Sequence, residues 1–240
     1  MKNIFVCFLF VFFLPLFGCS KDLAGNQKNP WHHWEGTFRN PPNSISREVS
    51  VFDRLKFFSS LLLARNGSLE LGALEEHVLG SEEALSQLAA SAESNSITWI
   101  GHSTFLVRIN GLTILTDPIF SDRASPLSFA GPKRRALLNI NIKNLPLIDV
   151  VIVSHSHYDH LDTRTLDALP GKESMTAVVP LGLGKFFTDR GFVDVREVDW
   201  YDEVIVDTLK VTAYPAVHWS NRTPFDVNET LWMSYGFSSG

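Results

Sequence analysis

A short apolar segment that runs almost directly into a cluster of histidines constrains this fold more than any other feature of the 240-residue chain. Leu147 to Val153 is apolar at all but one position and rich in β-branched residues, which predicts a buried β-strand. The run His155–His160 follows and reads His-Ser-His-Tyr-Asp-His. Because alternate residues of an extended chain point the same way, we expect His155 and His157 to converge on one point.

Two further residues of this run favour a metal site over an ordinary surface cluster. Asp159 and His160, placed after a turn, are expected to face a second point near the first. Imidazole and carboxylate groups are the ligands that Zn²⁺ and similar divalent metals take. A single histidine beside a strand is usually a hydrogen-bonded packing residue, but so dense a cluster without a cation would carry desolvation and repulsion costs. We therefore predict a metal site, and a two-metal site is the reading that the spacing favours.

A third imidazole is needed to complete a tetrahedral site that leaves one position open for water. His218 is the candidate, because it follows the predicted strand Leu209–Tyr214 and its extension. Three imidazoles around one metal lower the pKa of bound water to about 7. The expected chemistry is hydrolysis by a metal-bound hydroxide, with Asp159 as the catalytic group that holds it and accepts its proton.

Composition limits the other classes of function. A hydrophobic content of 45% and a charged content of 20% are those of a globular protein. The formal net charge of −5 gives a nucleic-acid partner no electrostatic support, so we expect none. Both cysteines lie in the first nineteen residues, which leaves no disulfide framework and no cysteine metal ligand.

The N-terminus has the pattern of a bacterial export signal. Ile4 to Phe17 is an almost unbroken apolar stretch that is short for a transmembrane helix. Leu16-Phe17-Gly18-Cys19 resembles a lipoprotein signal, which implies that Cys19 is lipidated after residues 1–18 are removed. Ser20 beside it favours the outer membrane, so we expect a lipid-anchored protein of the bacterial cell envelope, facing the periplasm. Simple cleavage and an uncleaved anchor are the alternatives.

Changes in amino-acid composition and in the spacing of apolar residues divide the chain into four parts. The expected parts are a signal peptide at 1–18, a polar tether at 19–46, a helical extension at 47–92 and an α/β domain with the metal motif at 93–240. Within the tether, Trp31-His32-His33-Trp34 suggests either a metal or aromatic site or, as we expect, aromatic side chains that dock on the domain.

Local signals place several elements. Asn110-Gly111 predicts a tight hairpin of type I′ between two strands. Apolar spacing predicts helices at 46–65 and 81–90, the second capped by Ser81. Asp162 or Thr163 is expected to cap a helix that follows the metal motif.

The metal motif and its flanks resemble a known family. His155–His160 matches the His-x-His-x-Asp-His signature of the metallo-β-lactamase-fold hydrolases. More narrowly, five segments look like the N-acyl-phosphatidylethanolamine-hydrolysing phospholipase D branch and its bacterial relatives: 97–104, 114–120, 123–126, 129–134 and 216–220. The resemblance covers roughly residues 95–240.

This resemblance implies an αββα sandwich, an α/β fold, here preceded by an N-terminal helical extension. It implies two zinc ions, although iron or manganese would suit the same ligands. The implied ligands are His155, His157 and His218 on one metal and Asp159 and His160 on the other. His102 and Asp117 fall in family motifs, and we expect them to support the site rather than to coordinate metal.

The last part of the chain departs from the family pattern. The family carries a later aspartate that bridges the two metals and a further histidine, whereas only Asp226 and no histidine follow His218. The sequence also stops inside a strand expected to begin at Leu231. We therefore expect a C-terminally truncated fold that holds one metal firmly, because its second site has only two ligands.

Together these features predict a metal-dependent phosphodiesterase acting on N-acylated phospholipids. A lactonase or other ester hydrolase of the same superfamily is the enzyme alternative, because a metal hydroxide attacks carbonyl carbon as readily as phosphorus. A catalytically incomplete binding module is the third hypothesis, because the later ligands are absent. The expected partners are a small-molecule or lipid substrate and, through the lipid anchor, the membrane.

Overall fold

The computed structural model describes residues 30–44, 49–63, 78–134 and 138–239. The predicted signal peptide and Cys19 lie outside these ranges, so cleavage and lipidation stay predictions. None of the helices in the described ranges is long and apolar enough to span a bilayer.

A small hairpin and two helices precede the main sheet. Strand β1 (His33–Trp34) pairs antiparallel with β2 (Thr37–Phe38), and helices α1 (Val51–Leu63) and α2 (Ser81–Ala90) follow. Both helices lie where apolar spacing predicts them. The expected cap by Ser81 is wrong, because Gly80 occupies the N-cap position and no side chain caps the helix.

The centre of the fold is a six-stranded mixed sheet. In spatial order its strands are β3 (Ser96–Gly101), β4 (Thr104–Ile109), β5 (Leu112–Thr116), β6 (Val150–Ile152), β7 (Thr176–Pro180) and β8 (Asp194–Val198). Strands β3 to β5 are antiparallel, and β5 to β8 run parallel. The predicted hairpin at Asn110 and Gly111 is confirmed, since both residues have the positive φ of a type I′ turn (52° and 83°).

A second sheet has three antiparallel strands in the order β11–β10–β9. They are β9 (Glu203–Val206), β10 (Leu209–Tyr214) and β11 (Ser234–Ser239). The strand expected from Leu231 begins three residues later. Leu231 and Met233 instead donate backbone hydrogen bonds to the carbonyls of Leu181 and Ser154, in loops that follow strands of the larger sheet.

The two faces of the central sheet are buried against different layers, because successive residues of a strand point to opposite faces. On β6, Val151 packs with side chains of α2 and of the helices α3 (Thr163–Ala168) and α4 (Gly184–Thr188). Its neighbours Val150 and Ile152 pack with the second sheet, including Leu209 and Val211. The layers are therefore helices, large sheet and small sheet, with β6 buried on both faces.

Part of the segment predicted as a tether is docked on this domain. His32 and His33 contact the Asp199 carboxylate, and the His32 ring stacks on Trp200 with the centroids 4.4 Å apart. The Phe38 amide donates to the Asn228 carbonyl at 2.8 Å. The aromatic side chains thus dock as expected, but these contacts make the docked residues part of the folded domain rather than a free tether.

The layered core gives a direct stability test. Leu115 on β5 is fully buried, whereas Leu147 is 89% exposed. We expect Leu115→Ala to lower the free energy of unfolding by about 2–5 kcal/mol, since it removes buried methyl groups and leaves a cavity. The matched change Leu147→Ala should stay within about 0.5 kcal/mol of the parent. Urea unfolding measures both, and equal effects would contradict the layering.

Candidate metal centre

The candidate ligands lie in the turn after β6, at the carboxyl end of the parallel strands. Ser154 is held there by the buried carboxylate of Asp117, which follows β5. The Ser154 amide donates to Oδ1 at 2.6 Å and the Ser154 hydroxyl to Oδ2 at 2.7 Å. The His160 amide then donates to the His157 carbonyl at 3.0 Å. This tight turn brings both ends of the motif to one edge of the sheet.

Three imidazoles converge beside this turn. Nε2 of His155 lies 2.9 Å from Nδ1 of His157 and 3.0 Å from Nε2 of His218. His155 is buried, and the other two rings are partly buried. The structure therefore brings together the three predicted ligands of the first metal, although they come from two distant segments.

The chemistry of these three nitrogens fits a divalent cation. Nδ1 of His155 is already engaged with the Ser154 hydroxyl at 2.9 Å. Nε2 of the same ring faces two other ring nitrogens, and a ring nitrogen carries at most one proton to share between them. A metal can accept all three lone pairs at once. His155, His157 and His218 are thus the residues that would hold a metal here.

Burial keeps these imidazoles in the form that binds metal. Burial and the neighbouring histidines lower the pKa of His155 far below its usual range. Burial, together with the positive charge that His218 can carry, lowers the pKa of His157 to about 4. The pKa of His218 is lowered mainly by burial. Metals bind neutral imidazole, so near neutral pH no bound proton has to be displaced.

A second polar group lies next to the first. Nε2 of His102 is 3.2 Å from Oδ2 of Asp159, and Nε2 of His160 is 3.8 Å from the same oxygen. The ring centroids of His155 and His160 are 4.1 Å apart, so the two groups are neighbours. Asp159 and His160 lie together as the two-metal prediction requires. His102, expected to have a supporting role, lies in the same group.

Asp117 contacts the rear of a candidate ligand rather than the metal position. Its Oδ2 lies 2.8 Å from Nδ1 of His160, the ring nitrogen on the side away from Asp159. Burial acts to lower the pKa of His160, but the hydrogen bond and charge of Asp117 outweigh it, so this pKa is raised. Such a contact orients a ligand ring and increases the basicity of its other nitrogen.

Asn40 holds His218 from a distant part of the chain. Its side-chain amide donates to the His218 carbonyl at 2.8 Å and accepts from the His218 amide at 2.9 Å. The indole of Trp232 donates to the same Asn40 oxygen at 3.2 Å. Nothing in the sequence marks this role, because Asn40 lies in an Asn-Pro-Pro-Asn run that is equally typical of a turn.

Arg222 connects the loop after His218 to the metal-binding turn. Its guanidinium donates to the carbonyls of Ser156 and Leu161, both at 2.8 Å, and lies 4.0 Å above the Tyr158 ring. Sequence reasoning missed this residue too, since an arginine in a polar loop has no distinctive spacing. Two side chains from outside the motif therefore support the candidate centre: Asn40 holds the His218 backbone, and Arg222 connects the loop after His218 to the metal-binding turn.

A family model described as Beta-lactamase superfamily domain matches residues 113–240, just over half of the chain and including both histidine segments. The chain belongs to the beta-lactamase superfamily. Its helices and two sheets are the metallo-β-lactamase-like α/β architecture that the resemblance implies, and membership makes it a metallo-hydrolase by family.

Relatives within this superfamily confirm the narrower resemblance. An uncharacterized Mycobacterium tuberculosis protein, Rv0906, is 42% identical over 144 residues, which cover 59% of this chain and 38% of that protein. The mitochondrial N-acyl-phosphatidylethanolamine-hydrolyzing phospholipase D of Saccharomyces cerevisiae is 39% identical over 142 residues, covering 58% of this chain and 30% of that protein. The chain therefore spans less than half the length of these curated relatives.

Solved structures resemble this chain less closely than the sequence relatives do. A metallo hydrolase from the archaeon Ignicoccus hospitalis aligns with a TM-score of 0.44 and 22% identity, over 60% of this chain and 55% of that chain.

The contact between Asn40 and His218 predicts a remote effect on metal binding. We expect Asn40→Ala to weaken metal binding at the three-histidine site about 10–100-fold, because the His218 backbone loses both of its hydrogen bonds to the Asn40 side chain. Titration of the metal-free protein with Zn²⁺ against a competing chelator measures this change. Asn139→Ala is the matched control, since Asn139 also donates to a backbone carbonyl, that of Leu79, at 2.8 Å. Equal Zn²⁺ affinities in the two variants would contradict a role of Asn40 in metal binding.

The lowered pKa of His157 predicts how the metal-free protein responds to acid. In the unfolded chain this imidazole titrates near 6.5, and in the folded chain near 4. Between these values the unfolded state binds more protons, so the free energy of unfolding decreases as the pH falls from about 6.5 to about 4.

We expect His157→Gln to make that loss of stability shallower, because one depressed titration is removed and the repulsion on His155 is relieved. Urea unfolding at a series of pH values, in the presence of a chelator, measures the slope. The raised pKa of His160 acts in the opposite direction in both proteins, so the difference in slope reports His157 together with its effect on His155. If the free energy of unfolding of His157→Gln fell as steeply with pH as that of the parent, the lowered pKa of His157 would be refuted.

Proposed function

We propose that this protein is a zinc-dependent phosphodiesterase that hydrolyses N-acylated phospholipids at the bacterial cell envelope. The observation that carries the proposal is the convergence of His155, His157 and His218 beside a second group containing Asp159 and His160. A divalent metal bound there supplies Lewis acidity and an activated water. The three imidazoles hold the metal and Asp159, which is partly exposed, accepts a proton.

Cationic groups near the centre suit an anionic phosphodiester better than a neutral lactone. A cavity of about 330 Å³ begins at Tyr158, within the metal motif, and the side chains of Arg164 and Arg222 line it. Asp162 also lines it, but its oxygens accept hydrogen bonds from the Ser121 amide and the Thr165 hydroxyl. Both guanidinium groups also donate hydrogen bonds within the protein. We infer that their positive charge attracts a phosphate-bearing head group to this cavity.

Apolar side chains beside the ligands suit an acyl chain. Val217 and Trp219, which flank His218 in sequence, are 60% and 48% exposed. The Trp219 indole lies 4.6 Å from the His218 ring and 5.3 Å from the His157 ring, measured between centroids. An exposed indole at this position can contact a lipid chain without closing the metal centre to solvent.

The relatives support the same substrate class. Two of them, from Saccharomyces cerevisiae and Caenorhabditis elegans, are named N-acyl-phosphatidylethanolamine-hydrolyzing phospholipases D, at 39% and 36% identity. Zinc is the proposed metal because it takes three imidazoles and an open position, although iron and manganese suit the same ligands. A lipid anchor on Cys19 would keep the centre close to its substrate.

The proposal predicts release of a fatty amide from N-acyl-phosphatidylethanolamine. The zinc-loaded protein, mixed with this lipid in detergent micelles, should produce the N-acylethanolamine and phosphatidic acid, detected by mass spectrometry. We expect His155→Ala to reduce the rate more than about 100-fold, since even contacts behind a ligand are worth 10–100-fold. Far-ultraviolet circular dichroism checks that the variant remains folded.

Chelation and restoration of zinc provide the matched control, because activity that depends on the centre must disappear and return with the metal. Turnover of lactones with no release from the phospholipid would replace the phosphodiesterase by the ester-hydrolase alternative. Metal binding with no turnover of either substrate class would favour a binding module. Full activity in His155→Ala would remove the three-histidine centre from the mechanism.

A further inference from the structure

We propose that His102 is a metal ligand, and that it completes a second metal site together with Asp159 and His160. The proposal rests on the metal-dependent chemistry of the centre and does not require a phospholipid substrate. Asp159 and His160 supply two protein ligands to the second site, and His102 supplies a third.

The distances in this group are those between ligands of one metal. Oδ2 of Asp159 lies 3.2 Å from Nε2 of His102 and 3.8 Å from Nε2 of His160, and the three ligand atoms all lie within 4.8 Å of one another. Zinc–nitrogen and zinc–oxygen bonds of about 2.0–2.2 Å in a tetrahedron place the ligand atoms roughly 3.3–3.6 Å apart. The group therefore surrounds a volume that a metal fits with little movement.

The other histidine–aspartate group in the described part of the chain shows what a hydrogen-bonded cluster looks like. Nε2 of His32 lies 2.6 Å from one oxygen of Asp199, and Nε2 of His33 lies 2.7 Å from the other. These are lengths of charge-assisted hydrogen bonds, and each ring has its own oxygen. In the second metal group, by contrast, both rings approach the same Asp159 oxygen at longer distances.

His160 has the arrangement of a coordinating histidine. Its Nδ1 is engaged with the buried Asp117 carboxylate at 2.8 Å, which directs Nε2 toward Asp159. A ligating histidine typically uses its other nitrogen in this way. His102 and Asp159 are both about half exposed, so a metal can reach the group from solution.

The backbone at His102 is held in an unfavourable conformation that directs its ring to the centre. His102 has φ of 51°, in the left-handed region that disfavours residues with a Cβ atom, and it follows Gly101 at the bend between β3 and β4. The Trp99 indole donates to the His102 carbonyl at 2.8 Å and holds the bend in place. Strain of this kind persists where the surrounding structure holds a functional group in position.

The two sites adjoin, which gives the second metal a role. The ring centroids of His155 and His160 are 4.1 Å apart, and the same turn carries both residues. Metals in adjoining sites can act on the attacking and leaving groups of one substrate. His102 would therefore hold the second metal from the bend between β3 and β4, a part of the chain that the three-histidine site does not use.

Metal stoichiometry tests the proposal directly. The metal-free chain is titrated with Co²⁺ and Zn²⁺ by calorimetry, and retained metal is counted by elemental analysis after dialysis. We expect two equivalents for the parent and for His33→Ala, a control that removes a histidine from the other aspartate cluster. We expect His102→Asn to lose the second equivalent, or to bind it at least about 10-fold more weakly.

Asparagine is chosen because it tolerates positive φ and can still hydrogen-bond to Asp159, but it is a poor zinc ligand. A purely structural role for His102 would therefore survive this change. As a second variant, His102→Cys loaded with Co²⁺ should show a thiolate-to-cobalt charge-transfer absorption that the parent lacks. This signal requires a bond between residue 102 and the metal.

Three results would overturn the proposal: two tightly held equivalents in His102→Asn, no new absorption in folded His102→Cys, or a single equivalent in the parent. Failure of the proposed function is distinguishable from these. If the parent binds two equivalents, one of them dependent on His102, but does not hydrolyse the phospholipid, then the ligand assignment stands and only the substrate is wrong.

Discussion

The hydrogen bonds of the buried Asp117 carboxylate are the interaction on which the candidate metal centre depends. Its two oxygens accept the Ser154 amide and hydroxyl and contact Nδ1 of His160, while the Ser154 hydroxyl also contacts Nδ1 of His155. One anion thus positions the turn and a candidate ligand of each group. Asp117 has a positive φ of 37°, so the chain holds it in a disfavoured backbone conformation next to the centre. A buried charge is tolerated here because it is fully hydrogen-bonded.

The sandwich provides the rigid frame for this network. Val150 and Ile152 of β6 are buried against the second sheet, and Val151 is buried against the helices, so the strand that leads into the motif is fixed on both faces. His218 arrives from the other sheet, beyond β10, and Asn40 holds its backbone from the docked N-terminal segment. The centre therefore joins three parts of the chain, and its geometry depends on how the layers pack.

Much of the local structure could be predicted because it depends on local rules. Two positive-φ residues at Asn110 and Gly111 follow from turn chemistry, and Asp162 caps α3 by accepting the Arg164 amide. The Ser81 cap failed by one residue, since glycine can occupy an N-cap position without a side-chain bond. Docking of the aromatic side chains around His32 was expected, but their partners Asp199 and Trp200 could not be predicted, because they lie more than 160 residues away in the sequence.

By itself, the sequence determined which groups are candidate metal ligands: the spacing of His155, His157, Asp159 and His160 after an apolar strand predicts a metal site, and the superfamily is confirmed. Only the tertiary structure decided what joins and supports them. The paired hydrogen bonds of Asn40, the bridging contacts of Arg222 and the approach of His102 to Asp159 arise from packing between distant segments. Ligand spacing within one turn is a local property, whereas contacts across 178 residues or between two sheets exist only once the layers have assembled.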